Sequence, residues 1–192
     1  MTLEWIVQAH WEPIMLNPYE INWVIDDDYE AVVDPTAITA AIERTLTASG
    51  CARATLTVAL THDEAVQALN RDYRGIDAPT DVLSFPSHEA GEEEGTALAL
   101  PAELADSVAD YLGDVVIAVP YAQRQAAHYA NSLLAELRLL AVHGVLHLLG
   151  HDHDTPDRQA AMWSIQTAVL GQSGDEALAE RTYKTDADDK YA

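Results

Sequence analysis

Cysteine, phenylalanine and basic residues are what this chain has least of: one Cys, one Phe, and ten Lys plus Arg against 32 Asp plus Glu in 192 residues. The single Cys51 excludes an intrachain disulfide and suits a reducing compartment, most simply the cytoplasm. A formal charge of -22 repels polyanions at long range. Much of the acid is local, in Asp26 to Asp28, Glu92 to Glu94 and the stretch from Asp175 to Asp189, which reads as solvated surface and mobile ends. Long hydrophobic runs are also missing. No span free of polar groups reaches the roughly 20 residues that a membrane helix needs. The segment MTLEWIVQAHWEPIML has no basic start, and Glu4, Gln8, His10 and Glu12 interrupt its apolar residues, so neither a signal peptide nor a membrane anchor is expected. At this length one domain can bury a real core without disulfides or a structural metal.

What is present reads as an α+β pattern. INWVID (21–26) reads as a strand, and PTAITAAIERTLTAS (35–49) as a helix with Pro35 at its start and Gly50 beyond its end. RATLTVAL (53–60) alternates as a second strand. Thr61 with Glu64 three residues on forms a capping box that opens a helix through Asn70. DVLSFP (81–86) is a third strand, and DVVIAV (114–119) a fourth, apolar on both faces and therefore central. Between these two strands lies a polar, Gly-bearing loop followed by a short helix. From Tyr121 the chain is helical, with a break near Asn131 and Ser132. A run from Leu133 to Leu149 follows, whose leucines cover most of the circumference, as in a helix buried all round. Thr155 and Pro156 start a last helix that runs to about Leu170, with Gly171 as its stop. The expected organisation is a single compact domain over 19–171, a mixed four-stranded sheet packed with about five helices, between an N-terminal extension (1–18) and an acidic, mobile tail (172–192). There is no internal repeat.

The stretch HGVLHLLGHDH (143–153) places four imidazoles in what otherwise reads as a buried helix. Residues four apart share a helical face, so His143 and His147 can hold one ion. His151 continues the spacing, but eight residues of helix rise by about 12 Å, too far for ring nitrogens that must each lie about 2 Å from the same ion. Gly150 can end the helix in the left-handed conformation and reverse the chain, which lets His153 fold back as the third ligand. His151 is left beside the site or on the surface. Asp152 and Asp154 read as exposed loop carboxylates, with orientation of a ligand's far nitrogen as the alternative.

As a pattern, H-x-x-x-H-x-x-G-x-x-H is the ligand skeleton of metzincin metalloproteases, but Gly144 stands where those peptidases carry their general-base Glu. Three histidines and an open fourth position still describe a catalytic metal site, able to lower the pKa of a bound water towards about 7. Three imidazoles accept zinc, nickel or another divalent transition metal.

HGVLHLLGHDH resembles the HGxLHLxGxDH signature of the YbeY family of metal-dependent endoribonucleases. LNRDYRGIDAPTDVLSFP (69–86) is similar to that family's LNxxYRxxDxPTDVLSFP block, and LGDVVIA (112–118) to its LGDI-type strand. The resemblance spans residues 69–154. It implies one zinc or similar ion held by His143, His147 and His153 on a metalloprotease-like helix, and cleavage of single-stranded RNA. The implied role is maturation of the small-subunit rRNA 3′ end and ribosome quality control, with the small ribosomal subunit and its assembly factors as partners. The family's functional arginine falls on Arg74, expected to pair with the scissile phosphate; from the residues alone, Arg74 reads as a surface salt bridge to Asp72 or Asp77. Arg71, Arg124 and Arg138 are further candidate phosphate contacts. Tyr73, Phe85 and Tyr121 are candidate base-stacking rings, and Asp81 and Asp114 are candidate general bases that read more simply as carboxylates capping or buttressing strands. Two competing readings share the skeleton: a metallopeptidase, and a non-catalytic ribosome-assembly factor whose structural metal has a fourth ligand from Asp152 or Asp154.

Overall fold

The computed structural model describes residues 17–87 and 110–179. Four strands, β1 (Tyr19–Ile25), β2 (Ala54–Thr61), β3 (Val82–Pro86) and β4 (Tyr111–Ala118), form one sheet in the order β1-β2-β4-β3. β1 pairs parallel with β2 and β2 parallel with β4, while β3 runs antiparallel along β4. The sheet is mixed, as expected, and β4 is interior: Val115, Val116, Ile117 and Ala118 are all buried. The expected loop and short helix between β3 and β4 lie largely outside the described residues.

Five helices accompany the sheet among the described residues: α1 (Pro35–Ala48), α2 (Asp63–Arg74), α3 (Val119–His128), α4 (Leu133–Leu148) and α5 (Pro156–Gly171). α4 is the organising element. Leu137, Leu140, Ala141, Val145 and Leu148 pack with Val58, Val115 and Ile117 of the sheet and with Ile38 and Ile42 of α1. Its other side, through Leu139, Val142 and Leu146, packs on Met162, Val169 and Leu170 of α5. A helix covered on both sides needs the nearly continuous apolar surface that the sequence shows. α2 packs separately, with Val66 against Leu83, Val116 and Ala118.

Two local expectations are corrected. Thr61 does not cap α2. It is the last residue of β2, paired with Ala118, and its hydroxyl donates to Asp26 Oδ2 at 2.6 Å. His62 occupies the cap position with no side-chain capping bond. α2 also continues past Asn70 to Arg74, because the buried Asn70 donates its amide to the Ala78 carbonyl at 2.8 Å and ties the following loop to the helix. Beyond Gly171, where the acidic tail was expected to leave the body, the chain stays packed through a 3-10 turn at Glu176–Leu178. Leu178 and Ala179 are buried there, and Asp175 pairs with Arg138 at 2.6 Å.

Candidate metal centre

The site begins with the end of α4. Gly150 adopts φ +83°, and its N–H reaches the His147 carbonyl while the His151 N–H reaches that of Leu146, each at 3.0 Å. This is a Schellman closure, which satisfies the last helical carbonyls and turns the chain back on itself. The turn brings His153 to the face already carrying His143 and His147. The three residues offer ligand atoms that all lie within 4.8 Å of one another. The Nε2 atoms of His143 and His147 are 3.0 Å apart. Two nitrogens about 2.0–2.1 Å from one tetrahedral ion stand about 3.3 Å apart, so this pair is already close to ligating geometry. The His153 ring lies 5.6 Å from that of His143 and 5.2 Å from that of His147, centroid to centroid. His151 is not part of the triad, in keeping with the rise argument.

Electrostatics favour the neutral rings that a metal requires. Burial pushes His143 well below the ordinary imidazole value, and the neighbouring His147 and His153 push the same way. His147 is lowered by burial first and by His153 next; Arg74 adds to the lowering, while Asp152 and a backbone hydrogen bond to His151 oppose it. The far side of each helical ring is also engaged. His143 is hydrogen-bonded by the side chain of Gln166, a residue that no sequence pattern singles out, since a polar residue in the middle of a helix carries no motif. His151 contributes to the site through its backbone and not through its ring.

Gly144 explains why the general base of a peptidase is missing. A Cβ built there would stand 2.6 Å from Val115 Cγ1 and 3.2 Å from Ser84 Oγ, and the Gly144 carbonyl accepts a hydrogen bond from Ser84 at 3.1 Å. This position faces β3 and β4, and a glutamate has no room in it.

The candidate arginines separate cleanly. Arg71 pairs with Asp72, Arg124 with Asp63, and Arg138 with Asp175. Asp77, the other partner considered for Arg74, accepts instead from Gln67 at 2.9 Å. Arg74 is exposed at the end of α2 with no carboxylate partner among the described residues, and its charge is felt at His147. Of the candidate stacking rings, Tyr73 is 71% exposed. Phe85 packs in the α2 cluster with Tyr73 edge-on at 5.0 Å, and the guanidinium of Arg124 covers the Tyr121 ring at 5.0 Å.

The candidate acids are each engaged by a neighbour. Asp81 Oδ1 accepts from the Val82 N–H and Oδ2 from Gln125, Asp114 accepts from the Tyr111 hydroxyl at 2.6 Å, and Asp154 is held by Arg158 at 2.9 Å. Asp152 accepts from the His153 N–H at 2.7 Å.

A mixed sheet carrying a buried helix with two histidines one turn apart, and a third returned by a glycine turn, defines a zincin-like three-histidine centre. The family model described as Endoribonuclease YbeY matches residues 24–174. Curated relatives with that name include one from Brevibacillus brevis, 47% identical over 61% of this chain and 73% of its own length. Another, from Moorella thermoacetica, is 49% identical over 63% of this chain and 74% of its own. The solution structure of TM1509 from Thermotoga maritima shares the fold, with a TM-score of 0.51 and 21% identity over 86% of this chain and 97% of that one. The chain belongs to the YbeY family. No helix among the described residues is long and apolar enough to cross a membrane.

Proposed function

We propose that this protein is a metal-dependent, single-strand-specific endoribonuclease of the cytoplasm. Its substrate is the 3′ end of small-subunit rRNA, and it serves in ribosome quality control alongside the small subunit and its assembly factors. The observation that carries the reading is the convergence of three histidine ligand atoms within 4.8 Å, beside an exposed arginine that no carboxylate among the described residues engages. The names of the relatives supply the RNA substrate.

His143, His147 and His153 would hold the ion, most simply zinc, with nickel also accommodated. Such an ion supplies Lewis-acid polarisation of a phosphoryl oxygen. The chain's own residues do the rest. The two helical imidazoles are kept unprotonated by burial, so their nitrogens remain donors to the cation at neutral pH. Arg74 presents its planar fork to two oxygens of the same phosphate, which fixes the phosphodiester and offsets charge that grows as the bond is cleaved. Tyr73, next in sequence and largely exposed, offers its ring to a base of an unpaired strand. A duplex keeps its bases stacked away from such a ring, which favours single-stranded substrate.

The acidic balance of the chain is compatible with this. In cellular salt, exposed charges are screened beyond about 8–10 Å, so Arg74 acts on a phosphate within its own reach regardless of remote carboxylates. The peptidase alternative lacks both its base and the space for one. The structural-metal alternative needs a fourth ligand from Asp152 or Asp154; Asp154 is engaged by Arg158 and Asp152 accepts from the His153 N–H, so either would have to turn from its partner to reach the ion.

The test compares wild type, His147→Ala and Arg74→Ala on a single-stranded RNA carrying the small-subunit 3′ end. His147→Ala is expected to lose metal and cleavage together, whereas Arg74→Ala keeps metal and loses cleavage. Equal cleavage by all three would overturn the reading.

A further inference from the structure

We propose that Gln166 is the positioning residue that fixes the imidazole of His143 for metal binding, and that the turn at Glu176–Leu178 is part of the metal site because it fixes Gln166. The inference rests on the metal reading above, but its first measurement needs no metal.

Gln166 is fully buried on α5, in the stripe that also carries Met162, Val169 and Leu170 against α4. An amide in such a place costs stability unless both of its ends are bonded. Its Nε2 donates to the Ala179 carbonyl at 2.8 Å, so its Oε1 is the end left to meet His143, with which the side chain is hydrogen-bonded. An oxygen can only accept, so the imidazole must present an N–H to it. The Nε2 of His143 faces His147, which leaves Nδ1 as the nitrogen carrying that hydrogen. The chain of bonds from Ala179 through Gln166 therefore selects the tautomer with Nδ1–H and a lone pair on Nε2, aimed at the ion.

The Ala179 carbonyl decides the direction. Without it the amide could rotate by half a turn and offer its NH2 to the ring, which would require the opposite tautomer and place a hydrogen where the cation belongs. The turn is held in place by the burial of Leu178 and by the Arg138–Asp175 pair, whose side chains are only 15% and 12% exposed. A segment read from sequence as a mobile acidic tail thus begins with residues that set the metal ligand.

The experiment uses the full chain. In the metal-free wild type at pH 8, long-range 1H–15N correlation of the imidazoles is expected to show His143 as the Nδ1–H tautomer. Finding Nε2–H there would overturn the proposal without any variant. Zinc affinity is then measured by competition with a chromophoric chelator. Gln166→Leu is expected to bind zinc 10–100-fold more weakly, the usual effect of losing a residue that orients a metal-bound histidine. Gln166→Glu, which can only accept from Nδ1–H, is expected to stay within a few-fold of wild type even if its melting temperature falls. Leu178→Asp, which expels the turn while keeping Gln166, is expected to weaken zinc binding as Gln166→Leu does. Wild-type affinity in Gln166→Leu would overturn the role of Gln166, and wild-type affinity in Leu178→Asp would overturn that of the turn. Absence of zinc binding by the wild type, with Nδ1–H still observed, would instead refute the metal reading and leave the Gln166 hydrogen bond standing.

Discussion

The Nε2 atoms of His143 and His147 meet at 3.0 Å across one turn of α4, while Gly144, next to the first of them in sequence, lies against Val115 of the sheet. The two facts have one cause. A helix offers a different face every residue, so the turn that aims two imidazoles at a cation also aims position 144 into the layer beneath. Close approach of α4 to β4 therefore fixes both the depth and the rotation of the ligand pair.

Metal should stabilise the protein through all three rings. A ligand that binds only the folded state at a hundred times its Kd adds about 2.7 kcal/mol. Thermal unfolding of chelator-treated protein, with and without added zinc, should show a clear rise in Tm for wild type. His153→Ala should lose most of that rise while its metal-free Tm stays near wild type, since His153 is exposed and little packing is lost. An equal zinc-induced rise in the variant would remove His153 from the ligand set.

Gly144→Ala should destabilise the metal-free protein by about 1–3 kcal/mol, the usual cost of forcing a methyl group into a filled core. The built Cβ stands 2.6 Å from a Val115 methyl carbon, so either α4 lifts or β4 moves. Urea unfolding measures the loss. A compensating change, Val115→Ala, should return part of the stability in the double variant. If Gly144→Ala unfolds at the wild-type midpoint, the close approach is not a constraint.

Much of this arrangement could be read from the sequence, and the parts that could not share a physical reason. The strands and helices were visible because hydrophobic period and turn residues act locally, and the triad was visible because i, i+4 spacing and a glycine stop are geometry written in order. Thr61 misleads because a threonine followed by a glutamate three residues later looks the same whether its hydroxyl caps a helix or, as here, bonds Asp26 just beyond the end of β1. Gln166 and the turn after Gly171 stayed hidden because their roles arise from tertiary contact between α4, α5 and the end of the chain. The choice of Arg74 over Arg71 rests on family resemblance; among the described residues Asp72 pairs with Arg71 and no carboxylate pairs with Arg74.

Asp81 offers a test by pH. Burial raises its pKa above the ordinary carboxylate value, against the lowering effect of bonds from Gln125, Val82 and Thr80. Between the unfolded value, near 3.8, and the raised folded value, the native state holds a proton that the unfolded state has lost. Stability from this group therefore falls as pH rises through that window, and at neutral pH the charged carboxylate is a cost. Asp81→Asn removes the charge, keeps an oxygen for the Val82 N–H, and meets Gln125 with an amide that can turn to accept. The variant should match or exceed wild-type Tm at pH 7.5, with the advantage gone below pH 3.8. A lower Tm at pH 7.5 would show that the ionised form is the one the fold requires.

The role assigned to Arg74 can be separated from simple charge by comparing Arg74→Lys with Arg74→Ala. If the guanidinium grips two oxygens of one phosphate, a lysine keeps the positive charge and loses the planar fork. Single-stranded RNA binding then follows the charge. The slope of log affinity against log salt should change by about 0.7 in Arg74→Ala, the increment for one phosphate contact on a single strand, and should be unchanged in Arg74→Lys. Cleavage follows the fork, because stabilisation that appears as the phosphodiester breaks depends on directed bonds and not on net charge. Both variants should therefore show a kcat lower by about 10-fold or more, while only Arg74→Ala binds RNA more weakly. Full cleavage in Arg74→Lys would reduce Arg74 to an electrostatic contact, and an unchanged salt slope in Arg74→Ala would remove it from the phosphate altogether.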